Sequence, residues 1–147
     1  MIGGFLSPME QDCLDILLRG KQPIILCPAR GLKGLRLGEK ARQAVEEGRL
    51  LVLSAFDESV RNTTTAQAVW RNNLVAAFAD SLFVPHAAPG GKTWSTVHAA
   101  LKRNQPVFTF DVSDNADLLE SGARPFELLL EQANSPQTQN DQFTVPQ

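Results

Sequence analysis

Short apolar runs alternate along this chain with longer segments of helical periodicity. Four such runs, rich in Val, Ile, Leu and Phe and bounded by turn residues, lie at 23–27, 50–54, 81–85 and 107–110. Continuous apolar runs of this length are typical of strands covered on both faces. Strands that alternate with helices over short connections form parallel sheets through right-handed crossovers. The alternation therefore predicts a Rossmann-like α/β domain, in which helices cover both faces of a parallel sheet.

The helical segments carry start and stop signals. Ser7 is the expected N-cap of the first helix, Pro8 its first residue and Glu10 the partner in a capping box. Gly20 is the expected C-terminal stop. Further helices are predicted at 38–47, 63–79, 93–103, 116–121 and 125–132. Four residues of the helix at 63–79 share a face that we expect to be buried: Trp70, Leu74, Ala77 and Phe78.

The length of 147 residues corresponds to one domain. We assign the domain to residues 1–132 and interpret 133–147, which are polar and lack periodicity, as a disordered tail. If 2–5 is a strand, the domain begins partway into its sheet, because doubly wound folds usually carry their first phosphate-binding βα turn upstream. We therefore expect a sheet that lacks its first βα unit.

Composition indicates a soluble protein. Hydrophobic residues make up 43% of the chain, yet no apolar run approaches the roughly 20 residues that span a bilayer. The N-terminus has neither the basic flank nor the apolar run of a signal peptide, so we expect the cytoplasm and no membrane partner. Cys13 falls on a helical stripe and Cys27 ends a strand-like run, so both are expected as buried, reduced thiols.

The net charge of −2 is unevenly placed. Between Arg19 and Arg42 lie seven basic residues and one acidic residue, whereas 111–131 holds six acidic residues and one basic residue. The basic stretch is either a patch for an anionic partner or a solvated mixed surface, and the sequence leaves both open.

The loop before the helix at 93–103 has the composition of an anion site. It is not a P-loop, because His86 stands where that motif needs its first glycine. Gly90 and Gly91 allow backbone amides to approach a ligand, the helix start adds a positive dipole end, and Lys92 adds a charge. Thr93 and Thr96 offer hydroxyls near the same spot, with Thr93 as the expected helix cap. A plain strand-to-helix turn is the alternative.

Two other segments offer cations or hydrogen-bonding groups. The loop at 28–34 places Arg30, a second cation and two glycines where a strand ends, which is where open parallel sheets bind ligands. In the helix at 63–79, Arg71 and Asn72 can hold phosphates or base edges, although Arg71 is equally consistent with plain solvent exposure. Trp70 could stack a base, but its position on the apolar stripe favours the core.

Signatures of catalysis are missing. His86 and His98 have no glutamate at metal-ligand spacing, and there is no G-x-S-x-G elbow. We therefore predict no catalytic residues, no metal site and no cofactor.

Several motifs together resemble a known family. The segment WRNNLVAAFAD at 70–80 is similar to a helix R-N-R-x-x-A-x-x-S-D, with Asn73 in place of the second arginine. The segment GKTWSTVHAAL at 91–101 is similar to S-G-S-x-x-T-A-x-x-A-L, and IGGFLS followed by PIILCPARGL matches a strand, helix and strand that end in a Gly-Leu loop. In order and spacing, residues 2–110 resemble the DprA/Smf DNA-processing family, Rossmann-like proteins related to lysine-decarboxylase-like nucleotide hydrolases.

The resemblance implies a protein that binds single-stranded DNA and assists a RecA-type recombinase in recombination or DNA uptake, without catalysis; it leaves a homodimer open. On the matching positions, the implied DNA contacts are Arg71, Asn72, Lys92, Thr93 and Thr96. Arg30, Gly90 and Gly91 are further candidate contacts because of their positions in the loops, without support from the family motifs. The family's upstream G-S-R turn is absent from this chain.

A nucleotide-binding sensor is the alternative. The related hydrolases carry P-G-G-x-G-T-x-x-E, and this chain keeps only the first three residues, at 89–91. Val97 stands in place of the catalytic glutamate, so the alternative is nucleotide binding by a degenerate hydrolase.

Overall fold

A computed structural model describes residues 1–128 of the chain. Its helices are α1 (Pro8–Arg19), α2 (Glu39–Glu46), α3 (Thr65–Phe78), α4 (Lys92–Lys102) and α5 (Ala116–Glu120), the last preceded by a 3₁₀ turn at Ser113–Asn115. Its strands are β1 (Ile2–Gly3), β2 (Ile24–Leu26), β3 (Leu50–Val52), β4 (Leu82–Phe83), β5 (Val107–Thr109) and β6 (Arg124–Pro125). Every strand pair is parallel, which confirms the predicted α/β class.

The strands divide between two three-stranded sheets. One has the order β1-β2-β3 and the other β4-β5-β6. The register pairs Ile24 with Leu50 in the first sheet and Leu82 with Val107 in the second. Read from β3 inwards, the two orders match the halves of a doubly wound sheet, 3-2-1 and 4-5-6. The predicted sheet is therefore present as two parallel halves, and no ladder joins β1 to β4 within the described residues.

Each sheet has its own hydrophobic core. In the first, the β2 and β3 side chains Ile24 and Leu50 pack with Leu17 of α1 and with Ala41 and Ala44 of α2. The second core joins the strands β4 and β5 to the helices α4 and α5; its buried members are Val84, Ala87, Val97, Ala100, Val107, Leu118 and Ala123. The apolar faces of α1, α2, α4 and α5 thus pack against the sheets.

The start of α1 is confirmed in detail. Ser7 Oγ accepts a hydrogen bond from the Glu10 amide at 3.3 Å, and Glu10 Oε2 accepts one from the Ser7 amide at 2.9 Å. This reciprocal capping box satisfies two amides that the helix itself leaves unpaired. Gly20 is the C-cap, as expected.

The prediction of which face of α3 is buried is wrong. Trp70 and Phe78 are 50% and 65% exposed, whereas Arg71 and Ala76 are buried. The burial of Arg71 is compatible with a folded core because its guanidinium donates a hydrogen bond to the carbonyl oxygen of Cys27. Packing against β1 and α4 therefore outweighs the apolar stripe.

A short strand that was not predicted precedes the last predicted helix. Arg124–Pro125 forms β6, which pairs with β5, and helical backbone begins at Phe126, one residue after the predicted start of the helix at 125–132. Two-residue strands carry no alternation, so periodicity could not identify this one. The end of that predicted helix and the predicted tail at 133–147 lie outside the described residues.

The helices of residues 1–128 all fall short of the length and apolarity that a membrane-spanning segment needs.

Candidate nucleic-acid interface

The loops that follow the strands lie at the carboxyl edge of each parallel sheet. Open α/β sheets bind their ligands at this edge. The loop after β2 carries Arg30, the loop after β4 leads through Gly90 and Gly91 into α4, and both were predicted to hold anions.

The turn before α4 has the backbone that glycine makes possible. Gly90 has φ of +73°, in the left-handed region that other residues rarely adopt, and Gly91 is the N-cap. The prediction that Thr93 caps this helix is wrong, because Thr93 lies inside the first turn. A glycine cap has no side-chain oxygen, and no side chain of residues 1–128 caps α4 in its place. The first-turn amides are therefore available to water or to a ligand.

Lys92 and Thr93 are both exposed at this helix start. The ammonium of Lys92 donates one hydrogen bond, of 3.3 Å, to Thr65 Oγ1 at the beginning of α3. An exposed contact of this length is weak, so the flexible lysine stem can move its charge to an incoming anion. Gly90, Gly91, Lys92 and Thr93 thus form a compact group, which we call the α4 turn.

Thr96 does not extend the α4 turn. It is 9% exposed, and its hydroxyl donates to Asn73 Oδ1 at 3.2 Å. The hydroxyl that we predicted to face a ligand therefore ties α4 to α3. Asn73 stands where the family motif has its second arginine, so this contact depends on a departure from the motif.

Arg71 lies in the interior and is 3% exposed. Its Nη1 donates to the carbonyl oxygen of Cys27 at 2.6 Å, and its guanidinium covers Gly4, just after β1. Burial lowers the pKa of Arg71, and the charge of Glu10 partly opposes that shift. The side chain therefore does not occupy the solvent-exposed position that the sequence left open for it.

Asn72, the neighbour of Arg71, is half-buried, and its side chain makes no hydrogen bond within the described residues. Its amide and carbonyl groups remain available for the contact implied by the family motif.

The guanidinium of Arg30 forms hydrogen bonds with the backbone of its own loop. Its Nε and Nη2 donate to the carbonyl oxygens of Gly31 and Lys33 at 3.3 and 3.2 Å. Arg61, from the loop after β3, donates to the same Lys33 oxygen at 3.2 Å. Sequence reasoning missed Arg61, because nothing local shows that two loops 28 residues apart share one acceptor.

The cavity beside these arginines has mixed charge. Its volume is about 580 Å³, and it is lined by Lys33, Asp57, Glu58, Ser59 and Arg61. The carboxylates weaken the attraction of this loop pair for phosphate. The hydrogen bonds of Arg30 stay within its own loop, so the structure gives it no contact with the α4 turn.

Asn115 is a second residue that sequence reasoning missed. It is 1% exposed; its Nδ2 donates to the carbonyl oxygens of Pro85 and Phe110 at 2.9 and 3.1 Å, and its Oδ1 lies 3.1 Å from His86 Nδ1. Asn115 therefore joins, through two hydrogen bonds, the backbone that follows β4 to the backbone that follows β5. The segment after β4 continues into the loop that leads to the α4 turn. An asparagine before a short helix is typical of an ordinary N-cap, so nothing in the sequence indicated that it joins two strand ends.

A solved structure of DNA processing protein A (DprA) from Streptococcus pneumoniae superposes on 88% of this chain with a TM-score of 0.70, at 17% sequence identity. The chain has the DprA fold. A DprA structure from Helicobacter pylori, which concerns that protein's single-stranded DNA binding mode, matches 74% of the chain with a TM-score of 0.56 at 21% identity. The chain spans 50% and 57% of the length of these two DprA chains. No protein-family model and no curated protein matches it.

Proposed function

We propose that this chain binds single-stranded DNA as a DprA-like DNA-processing protein and that the α4 turn holds a backbone phosphate. The observation that carries the proposal is the uncapped start of α4, where exposed Lys92 and Thr93 directly follow a glycine N-cap. The DprA fold supports it, because the Helicobacter pylori protein with that fold has a single-stranded DNA binding mode.

Three features of the start of α4 attract the same anion. Backbone amides at a helix start point outward, the helix dipole adds partial positive charge, and Lys92 adds a full charge. Thr93 adds a hydroxyl that can donate to a phosphate oxygen. These groups recognise a phosphate without regard to base, as a processing protein that meets many sequences requires.

The test is the fluorescence anisotropy of a labelled oligothymidine titrated with the parent chain and with Lys92→Gln across a salt series. Each phosphate contact releases counterions, so we expect Lys92→Gln to weaken binding and to reduce the salt slope by about one. Lys21→Gln is the matched control. Lys21 is exposed and precedes β2, so it lies at the opposite, amino-terminal edge of its sheet.

Competitors separate the ligand classes in the same assay. Displacement by unlabelled single strand but not by duplex supports the proposal. Displacement by a free mononucleotide, with no preference for the oligomer, would instead support the nucleotide-binding alternative. Equal slopes for the parent, Lys92→Gln and Lys21→Gln would remove the α4 turn from the site.

The finer parts of the proposal rest on the family resemblance. They are assistance to a RecA-type recombinase, action in the cytoplasm and a role without catalysis. Addition of a RecA-type recombinase to a complex of this chain with single-stranded DNA tests the first part, because a loading protein should speed formation of the recombinase filament.

A further inference from the structure

An exposed tryptophan of α3 packs against a half-buried phenylalanine. Trp70 is 50% exposed, and its ring meets that of Phe56 edge-on, with ring centroids 5.3 Å apart and planes at 67°. Phe56 lies in the loop after β3, at the carboxyl edge of the first sheet. A tryptophan that is half open to water presents a large apolar surface, and Phe56 is its only aromatic neighbour within residues 1–128.

The pair forms the wall of an open cavity. The cavity has a volume of about 340 Å³ and is lined by Ala55, Phe56, Ala66, Gln67 and Trp70. Gln67 is its polar member. Gln67 Oε1 accepts a hydrogen bond from the Thr64 amide at 2.7 Å, which orients the side chain, and its Nε2 has no acceptor among the described residues. An apolar slot with one oriented donor suits a flat heteroaromatic ring that carries a carbonyl or ring nitrogen.

The cavity is adjacent to the cation of the α4 turn. The Lys92 ammonium contacts Thr65, and the next residue, Ala66, lines the cavity. Aromatic rings beside a cation are the combination that single-strand binders use, since bases stack on the rings while the cation holds the backbone. The neighbouring positive charge therefore favours a nucleotide unit over an apolar peptide as the occupant.

We propose that the Phe56–Trp70 cavity receives one unpaired base of the single strand whose phosphate lies at the α4 turn. This inference rests on the proposed function and adds a source of strand selectivity. Bases in a duplex are already stacked and paired, so they cannot enter the cavity without the cost of extrusion. The phosphate contact alone would not distinguish the two forms of DNA.

The first experiment follows Trp70 directly. The chain has two tryptophans, so Trp94→Phe leaves Trp70 as the only indole. Trp94 packs against the second core, and phenylalanine preserves that contact. We expect oligothymidine to quench the fluorescence of this variant on binding, because a stacked base contacts the indole face. An abasic oligonucleotide of equal length, which has phosphates without bases, should leave the fluorescence unchanged.

The second experiment measures affinity. Trp70→Ala should weaken oligothymidine binding about 5- to 150-fold, the range that loss of one base stack spans. Its salt slope should match that of the parent, and Trp70→Phe should retain most of the affinity. Phe78→Ala is the matched control, since Phe78 is an exposed aromatic residue of the same helix that does not line the cavity. The parent and Trp70→Ala should bind the abasic oligonucleotide equally.

The outcomes separate this inference from the proposed function. If the parent binds no oligonucleotide at low salt, both are overturned. If Lys92→Gln weakens binding but Trp70→Ala behaves as Phe78→Ala does and Trp70 is not quenched, the base cavity is overturned and the phosphate site stands. An equal loss of affinity for the abasic strand in Trp70→Ala would also overturn the base cavity.

Discussion

Arg71 Nη1 donates a 2.6 Å hydrogen bond to the carbonyl oxygen of Cys27, which joins α3 to the end of β2 across 44 residues. The guanidinium is buried, and its Nε has no partner within the described residues. Because the charged form is desolvated, the arrangement is stable only while the guanidinium keeps its backbone acceptor and its fit over Gly4. Arg71 therefore positions α3, the helix that carries both Thr65 and Trp70.

Arg71→Ala should destabilise the protein by about 2–5 kcal/mol, since the variant loses a buried hydrogen bond and leaves a cavity. Urea denaturation followed by circular dichroism measures the change. Arg42→Ala is the matched control, because Arg42 is exposed on α2, and its cost should stay within about 0.5 kcal/mol. Equal stability of the two variants would contradict the buried role of Arg71.

The same variant tests whether Arg71 also touches DNA. In the folded fraction of Arg71→Ala, we expect the salt slope of oligothymidine binding to equal that of the parent, because a buried guanidinium releases no counterions. If the salt slope of Arg71→Ala is instead lower than that of the parent by about one, Arg71 contacts a phosphate, as the family motif implies.

Gly4 and Arg71 should be energetically coupled. A methyl group at Gly4 would overlap the Arg71 guanidinium, so Gly4→Ala should cost about 1–3 kcal/mol through displacement of that side chain. In the Arg71→Ala background the obstacle is gone, and the cost of Gly4→Ala should fall by about 1 kcal/mol or more. A double-mutant cycle measured by urea denaturation gives the coupling. Gly38→Ala, with nothing within 4 Å of the added methyl, should cost the same in both backgrounds.

Asn115→Ala should destabilise the protein by about 2–4 kcal/mol, because the carbonyls of Pro85 and Phe110 lose a donor and the buried side chain of Asn115 leaves a cavity. His86→Ala removes only one partner of Asn115 and should cost less. Thermal unfolding compares the two with Asn62→Ala, an exposed loop substitution. If Asn115→Ala unfolds at the same temperature as Asn62→Ala, the asparagine does not fasten β4 to β5.

Stability should fall at alkaline pH through Cys27. Burial raises the pKa of the Cys27 thiol, and the charge of Arg71 partly opposes that shift. The folded thiol therefore keeps its proton to higher pH than the unfolded thiol. Its contribution to stability is full below the unfolded pKa of about 8.5 and is lost as pH rises through the raised value.

Urea denaturation of the parent and of Cys27→Ala at several pH values between about 7 and 10.5 tests this dependence. The difference in stability between the two proteins should shrink as the pH rises. A difference that is constant with pH would show that the Cys27 thiol titrates alike in the folded and unfolded chains. As an independent check, a thiol reagent should modify Cys13 before Cys27, which is 2% exposed.

Interactions among residues close in sequence were predictable. The Ser7–Glu10 capping box, the stop at Gly20 and the turn through Gly90 each involve only a few consecutive residues, so their geometry follows from backbone sterics and short-range hydrogen bonds. The alternation of apolar runs and helices predicted the α/β class for a similar reason, since periodicity reports how each segment divides its surface between core and water.

Only the tertiary structure decided which side of α3 is buried and therefore what its residues do. The sequence by itself placed Trp70 in the core and left Arg71 between solvent and phosphate, but the fold buries Arg71 against Cys27 and exposes Trp70 beside Phe56. The Thr96–Asn73 contact and the second strand pair of β5 likewise join residues far apart in the chain. Such contacts depend on how whole elements pack, and a buried arginine is tolerated only where a distant carbonyl meets it, which no local pattern encodes.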